Sequence, residues 1–139
     1  MKILLAADGS VFTRHAVNYL IKHLDMFGEP ELRLAHVRTP IPGRAASALS
    51  KSVVQKYYSD ETVKSLAPAR RLLDKAGLKY GITQLLGDPG AEIAALAKKG
   101  KFDLVVMGSH GHGALGSLVL GSAASKVLGH CKVPVLIVR

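Results

Sequence analysis

Apolar residues along this chain gather into five short runs, and segments of helical period separate them. Lys2 to Ala7 is the first run; it ends in the polar turn Asp8-Gly9-Ser10 and reads as a strand. Between Arg14 and Phe27, the positions Ala16, Val17, Leu20, Ile21 and Leu24 repeat at helical spacing, and Gly28 with Pro30 closes that helix. Glu31 to Val37 is the second strand. Arg38 to Ala46 (RTPIPGRAA) carries two prolines and a glycine and is expected to be a loop. Ser47 to Ala76 is a long helical region, which Pro68 is expected to break or kink unless it opens a second helical piece. Leu78 to Leu86, Asp103 to Met107 and Val133 to Val138 supply the remaining strands. One helix is expected from Pro89 to Lys99, with Asp88 as its cap, and another after Gly121. Strands alternating with helices predict an α/β fold, a doubly wound five-stranded parallel sheet with helices on both faces. The strands are nearly continuous in apolar character, as doubly covered strands are.

A length of 139 residues fits one domain. The single Cys131 excludes an internal disulfide and fits a reducing compartment. The opening MKILLAADGS has too short an apolar stretch for a signal peptide. No run approaches the roughly 20 apolar residues of a membrane span, so a soluble cytoplasmic protein is expected. The formal net charge is +9, which attracts anions. The basic residues are spread along the chain without aromatic interleaving, which reads as solvated helix faces and argues against nucleic acid as the partner.

The richest chemistry lies in Met107 to Ser122, MGSHGHGALGSLVLGS, between a strand and a helix. Gly108, Gly111, Gly113, Gly116 and Gly121 let backbone N–H groups approach a ligand, and the following helix adds unpaired N–H groups and a positive dipole end. This reads as a phosphate cradle, with the N–H groups of Gly121 to Ala123 and the Ser122 hydroxyl as donors. Leu115, Leu118, Val119 and Leu120 in the same run argue against a merely solvated loop. Asp8 faces the same crevice if the first and fourth strands are neighbours. From composition alone it reads equally as a turn residue or helix cap; convergence with the glycine run favours the ligand.

Familiar motifs fit this run poorly. Gly111 to Gly116 satisfies G-x-G-x-x-G, but no acidic residue follows Asp103 to hold a ribose. Gly116 to Ser122 has Walker A glycine spacing without the lysine, and no G-x-S-x-G occurs. His110 and His112 lack companions and make a poor metal set. Asp8 is the one carboxylate in the crevice, since Asp88 is spent on capping, so paired acids for catalysis are absent.

Gly108-x-x-Gly111, nine residues, then Gly121-Ser122 resembles the G-2x-G-9x-G-(S/T) signature of the universal stress protein family. The likeness runs through the chain: MKILLAADGS, His36-Val37, Gly87-Asp88-Pro89, DLVVMGSHG and VPVLIVR. It implies strand order 3-2-1-4-5, the adenine nucleotide alpha hydrolase-like arrangement, and binding of ATP or a related adenine nucleotide, AMP or ADP included. By matching position, Ala7 and Asp8 would line base and ribose, and Val37 would pack on adenine. Met107 and Gly108 would contact ribose, while Gly111, His112, Gly121, Ser122 and Ala123 would hold phosphates, with Mg²⁺ accompanying a triphosphate. The family often carries arginine or another polar residue at position 112; here only a protonated His112 adds charge. Arg38 or Arg44 is expected to reach the phosphates from a closing 38–46 loop. The resemblance also implies an antiparallel homodimer through Val133 to Val138, an apolar edge strand open to pairing. It points to a stress-response regulator controlled by nucleotide, the alternative being a slow nucleotide hydrolase on the same fold.

Overall fold

Ile3, Leu4 and Leu5 are all buried, so their strand must be covered on both faces. The computed structural model describes residues 1–113 and 119–139. In it β1 (Lys2–Ala6), β2 (Glu31–Arg38), β3 (Tyr80–Leu86), β4 (Leu104–Gly108) and β5 (Val135–Val138) form one sheet of order β3-β2-β1-β4-β5. Every strand pair is parallel, with Ile3 opposite both Leu32 and Leu104. Ile3, Leu5, Leu32 and Leu34 pack with Val17 and Leu20 of α1 (Val11–Lys22) and with Leu66 and Leu73 of the long helix that follows β2. Leu4, Ala35, Val105 and Met107 face the other way, onto Ile93, Ala97, Ala124 and Val127.

Local chemistry sets most boundaries. Ser10 caps α1 by accepting the Thr13 N–H, so this helix opens at Val11, ahead of its first apolar repeat. It ends at Lys22, and a 3₁₀ turn, Leu24–Phe27, leads to Gly28 at φ +67°. The expected 38–46 loop is corrected at both ends. Arg38 belongs to β2, where its carbonyl accepts the Gly87 N–H at 2.8 Å. Residues Gly43–Ser47 form a short helix, α2; both prolines precede it, and none interrupts its hydrogen bonds. The expected break at Pro68 does not occur either. α3 runs unbroken over Lys51–Lys75. Proline removes one helical hydrogen bond, but Leu66 and Ala69 on either side are buried against the sheet and hold the helix across it.

α4 (Pro89–Lys99) and α5 (Ser122–His130) cover the second face. Asp88 caps α4 through the Ala91 N–H at 3.0 Å and also accepts from Lys126 Nζ of α5 at 2.6 Å. α1 leaves β1 on one face, whereas α5 follows β4 on the other. The two strands are neighbours, so a crevice opens between their connections at the carboxyl end of the sheet.

Glycine placement gives one test of this packing. Gly9 has φ +82°, and a β-carbon there would lie 2.9 Å from the Ser65 carbonyl oxygen. Gly9→Ala is expected to destabilise the protein by about 1–3 kcal/mol. Gly129→Ala, with open space around it in α5, is expected to gain roughly 0.5–1 kcal/mol. Urea midpoints read both, and an unshifted Gly9→Ala midpoint would contradict the contact of the β1–α1 turn with Ser65 of α3. The Asp88 pair gives a second test. Lys126 first, and the Ala91 N–H second, hold the Asp88 carboxyl below its ordinary 3.8. The unfolded chain therefore binds that proton more tightly. The stabilisation is complete above pH about 4 and is lost as pH falls through the depressed folded value. Asp88→Asn should flatten this part of the acid limb in pH-dependent denaturation.

Candidate functional site

The first wall of the crevice is the turn after β1. Ala7 donates its N–H to the Ala35 carbonyl at 2.8 Å, and its own carbonyl accepts from His36 Nδ1 at 2.7 Å. A carbonyl only accepts, so the buried His36 carries a proton on Nδ1. Both polar groups of Ala7 are thus committed, and the residue is held rigidly at the base of the crevice. Asp8 divides its carboxylate between two tasks. Oδ1 accepts the Ser10 N–H at 2.9 Å and the Thr13 hydroxyl at 2.8 Å, while the Asp8 N–H donates to Thr13 Oγ1 at 3.1 Å. Oδ2 looks across to Gly111, where a β-carbon would stand 2.6 Å away. Asp8 is therefore a turn residue through one oxygen and a crevice residue through the other, while Ser10 takes the helix cap.

The second wall follows β4. Gly108 lies against Phe12 so closely that a β-carbon would come within 2.6 Å of Phe12 Cβ. Ser109, fully buried, donates its N–H to the Val138 carbonyl at 2.7 Å. The Ser109 carbonyl accepts the Gly121 N–H at 2.8 Å, so the glycine-rich segment leaves and returns at one point. This corrects the donor set: the Gly121 N–H is spent on the loop stem, which leaves the amides of Ser122 and Ala123 and the Ser122 hydroxyl. His110 pairs with Ser109 Oγ at 2.9 Å and leans on the Phe12 ring, their centres 5.1 Å apart. His112 donates Nε2–H to the Asp8 carbonyl at 2.7 Å and so links the two walls. Leu115, Gly116 and Leu118 lie outside the described residues.

The start of α5 is chemically distinct from the other long helices. Ser10, Ser50 and Asp88 cap α1, α3 and α4 with side-chain oxygens. At α5 the cap is Gly121, with no side-chain hydrogen bond. The first-turn N–H groups have no partner within the helix, and no side chain among the described residues caps them. They open onto a cavity of about 530 Å³, within the range of small-ligand pockets.

Ala7, Asp8, Val37, Met107, Gly108, Gly111, His112, Gly121, Ser122 and Ala123 all line this one cavity. Val37, Ala35, Ile93 and Met107 give the cavity apolar lining, and the glycines and the α5 terminus line it as well. Thr13, Thr39, Pro89 and Ile93 are lining residues that the sequence reading did not single out. Thr13 was accessible from the short spacing to Asp8, which suits a side chain-to-backbone turn. Thr39 shares the face of Val37 by strand alternation. The same alternation sends Arg38 to the opposite face, where its guanidinium carbon lies 4.3 Å from the centre of the Tyr58 ring. Arg44 is exposed on α2 and does not line the cavity. The expectation that either arginine reaches the phosphates is corrected accordingly.

Among the described residues, no group of three histidines, cysteines or acids is placed to hold a metal ion. Among the same residues, no helix is long and apolar enough to cross a membrane.

Known proteins share this arrangement. A universal stress protein of Thermus aquaticus is 31% identical over 142 residues, covering 99% of this chain and 97% of its own length. One from Methanocaldococcus jannaschii is 30% identical over 140 residues, covering 99% and 81%. Among solved structures, the universal stress protein UspA of Lactobacillus plantarum superposes with a TM-score of 0.82 at 19% identity, covering 100% of this chain and 97% of that one. A universal stress protein in complex with cAMP gives 0.73 at 23%, covering 100% and 97%. An Arabidopsis thaliana family protein with AMP bound gives 0.66 at 16%, covering 99% and 90%. These structures share the adenine nucleotide alpha hydrolase-like fold. The profile of the universal stress protein family matches residues 1–139, and the chain belongs to that family.

Proposed function

We propose that this protein binds an adenine nucleotide (ATP, ADP or AMP) in the crevice between β1 and β4, and acts as a nucleotide-controlled regulator in the cytoplasmic stress response. The observation that carries this reading is the start of α5, which has no side-chain cap and lines a cavity that Val37, Ile93 and Met107 also line. An adenine ring fits against Val37, Ile93 and Met107. The ribose lies by Ala7, Asp8 and Gly108, within reach of Asp8 Oδ2. The phosphates meet the Ser122 and Ala123 amides, the Ser122 hydroxyl, and the backbone at Gly111 and His112, with Gly121 keeping that approach open. Fold relatives holding cAMP and AMP support the choice of adenylate.

The chemistry of the crevice supports binding over turnover. Asp8 Oδ2 is its one uncommitted carboxylate oxygen, since Asp88 is engaged by Lys126 and the α4 cap. Mg²⁺ entering with a triphosphate would take phosphate oxygens and water as ligands, with Asp8 the available protein carboxylate. Hydrolysis on this site is at most slow. Among the described residues the apolar edge strand β5 pairs only with β4, and a second copy completes it as an antiparallel homodimer. Sedimentation velocity should then report a dimer.

Calorimetric titration with AMP, ADP and ATP tests the central claim. A β-carbon on Gly121 would lie 3.1 Å from His110 Cα and 3.3 Å from the Ser109 carbonyl. The branched side chain of Gly121→Val should fill the hollow and weaken adenylate binding at least tenfold. His112→Ala removes the link between the walls and should weaken it by roughly tenfold. Equal affinity in wild type and Gly121→Val, with the fold intact by circular dichroism, would falsify the site.

A further inference from the structure

The face of β2 turned away from the crevice holds an arginine that the nucleotide site does not use. Val37 and Thr39 line the crevice, while Arg38 between them lies beneath the first turns of α3. Its guanidinium rests on the Tyr58 ring. That ring is fixed in turn, because the Tyr58 hydroxyl accepts the Ile41 N–H at 2.7 Å. Arg38 Nε and Nη1 are shut off from solvent and have no hydrogen-bond partner. Buried N–H donors in a folded protein are nearly always paired, and a charged donor left without an acceptor carries a desolvation cost. Burial lowers the Arg38 pKa from its ordinary value, opposed by Tyr58 and Glu61. The group is therefore short of a negative partner.

A cleft of about 630 Å³ opens beside it, between α3 and the edge strand β3. Its lining residues are polar or charged side chains together with the Tyr58 ring. Ser52, Lys56 and Ser59 stand at helical spacing along one face of α3, with Gln55 beside them, and Gln84 faces them from β3. Lys56 forms no ion pair among the described residues. Asp60 is the one acid in the lining, against two cations. Hydroxyl and amide donors around a lysine and an arginine match an anion with several oxygens. Lys56 and the part of the Arg38 guanidinium that lines the cleft supply its positive charge, and the serine hydroxyls can donate to the remaining oxygens. The one aromatic ring present is already covered by Arg38, so nothing remains on which a base could stack.

We propose that this cleft is a second anion site, which holds a small phosphate-bearing molecule through Arg38 and Lys56, back to back with the nucleotide crevice across strand β2. The ligand is a hydrophilic phosphate ester or inorganic phosphate, not a second nucleotide. The competing occupant is the carboxylate of Glu61, three residues along α3 from Tyr58. If Glu61 swings onto Arg38 in solution, Lys56 is the one cation the lining has left to offer.

The test uses the ¹⁵N-labelled full chain, titrated with inorganic phosphate and with glycerol 3-phosphate at constant ionic strength against chloride. The proposal requires the Arg38 Nε–H resonance to move saturably, with the Ser52 and Gln84 amides following. Lys56→Gln, an exposed change that leaves the core untouched, should weaken the response at least fivefold, and Arg38→Met should abolish it. If Arg38→Met does not fold, the Lys56→Gln comparison decides alone. An Arg38 resonance that stays still, or that follows chloride equally, overturns the proposal. So does phosphate binding that appears only in Glu61→Gln, because Glu61 is then the native partner. Resonances of Gly111 and Ser122 report the nucleotide crevice separately, so failure of one site is distinguishable from failure of the other.

Discussion

One backbone hydrogen bond, from the Gly121 N–H to the Ser109 carbonyl, fixes the two described ends of the glycine-rich segment against each other. Ser109 is itself anchored, because its N–H is held by the last residue of β5, Val138. The bond therefore ties the start of α5 to the sheet at the tip of β4. Without that tie, the first turn of α5 would have no fixed relation to Asp8. With it, the unpaired amides of one helix face a carboxylate from a different strand across a single cavity. The glycines at 108, 111 and 121 serve this closeness. Each lies where a β-carbon would meet Phe12, Asp8 or the 109–110 backbone. Their importance here is backbone approach more than flexibility.

What could be read from the residues was whatever depends on near neighbours. The five apolar runs, the Ser10 and Asp88 regions, and the spacing of Gly108, Gly111 and Gly121 all express local preferences, and these located the strands, the crevice walls and the family. The misreadings came where a distant contact outweighed the local signal. Pro68 stays in a continuous helix because Leu66 and Ala69 are buried against a sheet that the local sequence does not mention. Residues 43–47 coil because both prolines lie before the helix, which the composition of the segment does not reveal. Arg38 faces away from the crevice because β2 extends one residue further than its apolar run, held by the Gly87 N–H. That one residue decides which face of the sheet receives the charge.

Electrostatics follow the same division between local and distant. The chain carries a formal +9, yet only two ion pairs occur among the described residues, Lys2 with Glu31 and Lys126 with Asp88. Most cations are thus left to solvent, where each interacts weakly. They still give the molecule a field that favours anions near its surface. The field does not choose a site. Selection falls to places where donors are both organised and unsatisfied: the start of α5, and the shielded guanidinium of Arg38.

The glycine cap of α5 shows how stability and binding compete for the same atoms. A serine or aspartate at position 121 would normally favour a helix start by about 1 kcal/mol over alanine, because its oxygen takes a first-turn N–H. The other long helices use that device. At 121 it would remove a donor from the rim of the cavity and place a carboxylate or hydroxyl where an anion would sit. It would also press a β-carbon toward the His110 and Ser109 backbone. Glycine caps nearly as well as the polar residues, falling short by only a few tenths of a kcal/mol. The protein thus keeps almost all of the helix stability while leaving the amides unclaimed. That small difference is the energetic reason an open helix terminus can persist in a domain whose other long helices are closed.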